Sequence, residues 1–125
     1  MAVSVFLGAG LGACFRWLLG AWLNPIWPNL PLGTLFANLL GGLLIGFALG
    51  FFQLRPGIDV MWRLFLITGF LGGLTTFSTF SAEVVDHLLH GRWLWGLALA
   101  AAHLAGSLLL TASGIWLAFK IWGRA

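Results

Sequence analysis

The side chains best placed to do chemistry crowd into one stretch of an otherwise apolar run, Gly72-Gly73-Leu74-Thr75-Thr76-Phe77-Ser78-Thr79-Phe80-Ser81. Adjacent glycines weaken a helix, each by about 1 kcal/mol relative to alanine. Thr75, Thr76, Ser78, Thr79 and Ser81 then compete with the backbone for its hydrogen bonds. The combination predicts a helix broken at this point, freeing amides and carbonyls. In an apolar medium such groups are tolerated only when buried in protein or lining a cavity. The alternative is a kinked helix whose hydroxyls bond back to their own turn. Phe77 and Phe80, spaced i and i+3, would share one face.

Four further groups stand out against apolar surroundings. Asn38 sits well inside the second apolar run, where its NH2 offers two donors, either to a passing solute or to a neighbouring helix. His103, Ser107 and Thr111, at i, i+4 and i+8, stack on one stripe of the fourth run. The stripe is either a polar track or a helix–helix seam, and intramembrane polar groups favour the track. Arg16 has no acid on its own helix. It could cap carbonyls of the broken helix, set a positive potential at an aqueous entrance, or snorkel to the interface. Glu83, Asp86, His87 and His90 share a helical face at i, i+3, i+4 and i+7. That spacing could bind a transition metal, though it also fits a solvated helix end before Gly91-Arg92.

The elements that must position these residues follow from composition. The chain has 125 residues, 61% hydrophobic and 7% charged, with a mean hydropathy of +1.03. Soluble domains carry roughly a quarter of their residues as charges, so the surrounding solvent is lipid. A spanning helix needs about 20 mostly apolar residues, and the apolar runs fall near Val3–Leu23, Leu32–Leu54, Val60–Leu89 and Trp93–Trp122. The expectation is an all-α integral membrane protein over residues 1–125, a single domain of four transmembrane helices with the third broken mid-membrane. No room is left for a soluble catalytic domain. No cleavable signal peptide is expected at Met1–Leu23, which lacks a basic leading region.

Pro25, Pro28 and Pro31 end the first run, and Arg55-Pro56-Gly57 ends the second. Trp22, Trp27, Trp62, Trp93, Trp95, Trp116 and Trp122 gather near the run ends, as interfacial belts do. Gly8 and Gly12, then Gly42, Gly46 and Gly50, recur every fourth residue, a spacing that lets helices pack closely in lipid. The net charge of +3 is carried by cations placed singly at Arg16, Arg55, Arg63, Arg92, Lys120 and Arg124. A nucleic-acid footprint would cluster them, so no nucleic-acid partner is expected. Cys14 is the lone cysteine and is expected to pack as a small hydrophobe. With the N-terminus inside, Arg55, Arg63, Lys120 and Arg124 face the cytoplasm against Arg92, a modest inward bias.

The run from Thr68 to Ser81 resembles the signature of the Fluc/CrcB fluoride channels. Gly8-Ala9-Gly10-Leu11-Gly12-Ala13-Cys14-Phe15-Arg16-Trp17 and Gly33-Thr34-Leu35-Phe36-Ala37-Asn38-Leu39-Leu40-Gly41 resemble the family's first and second helices. The likeness covers essentially the whole chain in order. It implies a passive fluoride exporter in the bacterial inner membrane, working as an antiparallel, dual-topology homodimer with two pores. By position, Phe77 and Phe80 would turn ring edges to the ion, and Asn38, Ser78, Thr79, His103, Ser107 and Thr111 would supply donors. Arg16 would stand at the vestibule. Glu83 would be the acid that follows the broken helix. A sodium ion at the dimer interface would be held by the carbonyls of Gly72 and Thr75. Fluoride is small and tightly hydrated, so a pore must replace water with close donors, and aromatic edges add the positive rim of the ring quadrupole.

Rival functions are a small dimeric multidrug transporter, a metal-ion transporter and a structural membrane subunit. The first needs a membrane carboxylate for proton exchange, whereas the first helix carries Arg16 and no acid. The second would use Glu83, Asp86, His87 and His90.

Overall fold

The computed structural model describes residues 1–123, so Arg124, counted above among the cations, lies outside them. Helix α1 covers Ala2–Leu23 and α2 covers Leu32–Leu54. Helix α3 occupies residues 60–74, α4 covers Phe77–Leu89 and α5 covers Trp93–Trp122. Helices α3 and α4 together make one span, so the described residues cross the membrane four times by length and composition.

Glycine determines which helices touch. A Cβ added at Gly8 or Gly12 would collide with the α3 carbonyls of Phe65 or Phe70, and one at Gly73 with the carbonyl of Ala9. Likewise a Cβ at Gly46 would strike the Thr111 carbonyl, and one at Gly114 the Leu43 carbonyl. The stripes therefore seat α1 on α3 and α2 on α5, backbone against backbone, as packing in lipid favours. Leu19, Ala37, Ala48, Leu71 and Leu74 form the buried core between these pairs. Large apolar side chains such as Phe6, Leu94 and Leu108 are exposed, which is the burial pattern of a lipid-facing surface.

The third span departs from a plain α-helix twice. Leu64–Leu71 is π-helical, a widened geometry that tends to appear near functional sites. Further on, Thr75 (φ −82°, ψ 155°) and Thr76 (φ −150°, ψ 123°) are extended. The break thus lies just beyond the glycine pair, which stays helical, and Gly73 of that pair packs closely on Ala9 of α1. The helix stops at the threonines: Thr75 N–H makes the last helical bond, to Leu71 O, and the Thr76 backbone bonds elsewhere. Thr75 Oγ1 donates back to Leu71 O at 2.9 Å, and Thr76 Oγ1 caps α4 by accepting Thr79 N–H at 3.1 Å.

Candidate functional site

Asn38 holds the extended break in place. Its Oδ1 accepts Thr76 N–H at 2.7 Å, and its Nδ2 donates to Thr76 O at 2.8 Å. Helix α2 thereby restores the two backbone bonds that Thr76 forfeits by leaving the helix. Asn38 Nδ2 also lies 2.8 Å from His103 Nδ1 on α5. Because Oδ1 is fixed as the acceptor from Thr76, Nδ2 is the donor here and His103 Nδ1 accepts. The neutral ring consequently carries its proton on Nε2, a buried atom with no protein partner. Both amide protons of Asn38 are thus engaged by protein, and His103 Nε2–H is the donor left free.

His103 is only 2% exposed, and its ring stacks on Phe80 at 4.6 Å with a 12° interplanar angle. Phe80 meets Phe77 edge to face at 4.7 Å. Both phenylalanines stand on one face of α4, as their spacing predicts, but their environments differ: Phe80 is 7% exposed and Phe77 71%. With Asn38, Gly42, Thr75, Thr76 and Ser107 they line a cleft of about 320 Å3 between α2, α4 and α5. The cleft has no ionisable acid, lysine or arginine in its lining. Its outer rim includes exposed Leu104 and Leu108, so the single chain leaves it open along one side.

The two helix ends at the break differ in sign. The N-terminus of α4, at Phe77, carries the positive end of a helix dipole, while α3 ends in carbonyls. Thr76 N–H, the helical donor for Gly72 O, is diverted to Asn38, and Thr79 N–H, the donor for Thr75 O, is diverted to Thr76 Oγ1. Gly73 O is met instead by Arg16 Nε at 3.1 Å, so the arginine caps the broken helix. The uncapped carbonyls of Gly72 and Thr75 suit a hard cation, as half-helix ends do where they coordinate sodium.

Glu83 lies outside the cleft. Its Oε1 accepts from Thr34 Oγ1 at 2.7 Å, and its Oε2 is buried without a partner. Asn24 completes this corner, its Oδ1 accepting the N–H groups of Gly33 and Thr34 at 2.8 and 3.1 Å and so capping α2 from the preceding loop. His87 is buried, with Nδ1 accepting Arg92 Nε at 2.8 Å and Nε2 lying 2.8 Å from Asn29 O. Arg92 also pairs with Asp86 at 2.8 Å. The acid and imidazole face anticipated as a possible metal site is therefore a structural corner. Among the described residues no group of three or more such side chains could hold a metal ion.

Three anticipated pathway residues fall outside the cleft lining. Ser78 and Thr79 turn toward Thr76 Oγ1, at 3.4 and 3.0 Å. Thr111 donates to Gly42 O at 3.0 Å, joining α5 to α2. The sequence reading passed over Thr34, Gly42 and Thr76 as site residues. The density of hydroxyls pointed to Thr76, and the glycine stripe to Gly42, but nothing local distinguishes Thr34.

Four spans, one broken beside a cleft that holds Asn38, His103 and Ser107, define a small multi-pass integral membrane protein of the cell membrane. The chain belongs to the CrcB family, whose description, CrcB-like protein, Camphor Resistance (CrcB), matches residues 3–115. A Burkholderia cenocepacia relative named fluoride-specific ion channel FluC is 60% identical over 120 residues, covering 96% of this chain and 93% of its own. Relatives of the same name from Burkholderia vietnamiensis and Burkholderia pseudomallei are 59% and 56% identical, covering 93% and 96% of this chain and 91% and 93% of their own.

Proposed function

We propose that this protein is a fluoride-selective channel that lets fluoride leave the cytoplasm by passive electrodiffusion. One observation carries the reading: the intramembrane cleft offers donors and ring edges and no carboxylate. Free His103 Nε2–H, the Ser107 hydroxyl and the edges of Phe77 and Phe80 could replace the hydration shell of a small anion. The N-terminus of α4 adds positive potential at mid-membrane. An imidazole held in one tautomer by Asn38 costs no reorganisation when the ion arrives, which favours rapid passage. A proton-coupled cation exchanger would need a carboxylate in the cleft, and Glu83 is instead bound to Thr34.

The working unit in this reading is an antiparallel homodimer with two pores. Phe77 is largely exposed and the cleft is open along α5. Polar backbone and hydroxyls facing hydrocarbon are expensive, so a second copy is the natural wall. Gly72 and Thr75 carbonyls from each copy would hold the structural sodium ion, which would supply the positive charge that ties two broken helices together. Arg16, by capping Gly73 and adding charge near the break, would favour anions in the approach.

The test is fluoride efflux from sealed proteoliposomes, with chloride as the control anion. Fluoride release that far outruns chloride supports the channel. Equal release of both ions, or none, overturns it.

A further inference from the structure

A groove runs between α2 and the first part of α3 and shares none of the lining of the Asn38–His103 cleft. It begins at the α2–α3 loop as a hollow of about 370 Å3 walled by Gln53, Arg55, Ile58 and Arg63. Across Phe52 and Ile58 it adjoins a second hollow under Phe51, Trp62, Phe65 and Leu66. Across Phe51 and Leu66 it continues to a third, lined by Leu44, Phe47 and Leu71. Polarity therefore falls from cationic to wholly apolar along its length.

The ends match membrane depth. Trp62, in the wall of the second hollow, is 65% exposed, and interfacial tryptophans mark the headgroup level. Leu71 lies just before the mid-membrane break. From Gln53 to Leu44 the helix rises about 14 Å, close to half of a hydrocarbon core about 30 Å thick. That is the reach of one acyl chain.

The charges at the mouth lack partners. Among the described residues neither Arg55 nor Arg63 forms an ion pair. The one acid nearby, Asp59, uses its Oδ1 to cap Met61 N–H at 2.8 Å. Arg55 reaches only its neighbour's carbonyl, Leu54 O, at 3.4 Å.

We propose that this groove binds an anionic phospholipid, its phosphate between Arg55 and Arg63 and one acyl chain along Phe52, Leu66 and Leu71. The pair of guanidiniums selects the negative headgroup, and the apolar continuation selects a lipid over a free phosphate. The inference depends on the four-span fold and not on which ion the cleft conducts.

Native mass spectrometry of the full-length protein, released from micelles holding equal phosphatidylglycerol and phosphatidylcholine, tests it. The expected result is retained phosphatidylglycerol in excess on the order of tenfold, from two arginines at an interface. The exposed pair changed as Arg55→Gln with Arg63→Gln should bring the ratio near unity with the helical circular dichroism unchanged. Brominated-chain phosphatidylglycerol should quench tryptophan fluorescence, and Trp62→Phe should remove part of that quenching. No preference in the parent, or a preference that survives the double change, overturns the proposal. So does displacement by millimolar inorganic phosphate, which would mean a free-anion site. Loss of self-association in the double variant would also overturn it, because the groove would then be a contact between copies.

Discussion

Asn38 on α2 and Thr76 at the break in the third span grip each other through both halves of one amide, at 2.7 and 2.8 Å. The side chain of one helix thus completes the backbone of another, and its remaining amide proton sets the tautomer of His103. The broken span and the cleft are coupled through this single residue.

Asn38→Ala should therefore lower stability and flux together. It leaves the Thr76 N–H and carbonyl unpaired in a half-buried setting, which costs up to about 1–3 kcal/mol for each group. Asn38→Asp keeps the acceptor for Thr76 N–H but loses both donors. Gel filtration in detergent beside proteoliposome efflux would read both effects. An Asn38→Ala protein with parental stability would show that the clamp is dispensable.

Phe80→Ile and Phe77→Ile should each cut fluoride efflux by about tenfold or more, since a loss of roughly 1.4 kcal/mol suffices for that factor. They should differ in stability. Phe80 is buried against His103, so its loss leaves a cavity, whereas Phe77 is exposed on the single chain. Thermal unfolding should drop clearly for Phe80→Ile and little for Phe77→Ile in the monomer. Parental efflux from both variants would remove the phenylalanines from the pathway.

Thr34→Val keeps the shape of the side chain and removes the donor to Glu83. With Oε2 already unpartnered, the carboxylate would then have no hydrogen bond from the described residues. Destabilisation of about 1–3 kcal/mol is expected, and Glu83→Gln in the same chain should recover part of it. A double-mutant cycle in which the two changes simply add would show that the pair is not coupled.

Gly46→Ala should separate α2 from α5, because the new methyl would strike the Thr111 carbonyl backbone. Overpacking of this kind costs about 1–3 kcal/mol and sometimes more. Gly10→Ala is the matched control, with nothing within 4 Å of its added Cβ. Comparable melting of the two variants would mean that the stripe is not a packing seam.

If the antiparallel homodimer is correct, the chain inserts both ways, although Arg55, Arg63 and Lys120 bias it inward. Arg63 and Lys120 lie at helix ends and can snorkel toward either interface. Two lysines added near Asn29, or two added at the C-terminus, should fix opposite orientations. Each form alone should transport poorly, and co-expression should restore efflux. Full activity from one strongly biased form would rule out the antiparallel arrangement.

The sequence by itself determined the solvent, the number of spans and their limits, because hydropathy and proline or glycine punctuation are local. It also determined which helices could touch closely, since glycine spacing is a property of one helix face. The family motif and the phenylalanine pair were legible for the same reason. The tertiary structure decided where the third span opens. Gly72 and Gly73 remain helical, with Gly73 seated against Ala9 of α1, and Thr75 and Thr76 open where Asn38, far away in sequence, takes over the hydrogen bonds of Thr76. Thr34 with Glu83 and Arg16 with Gly73 were likewise undecided until the helices met. A polar side chain in lipid must find a partner, but its periodicity says only which face it occupies, and the partner depends on which helix lies across from it.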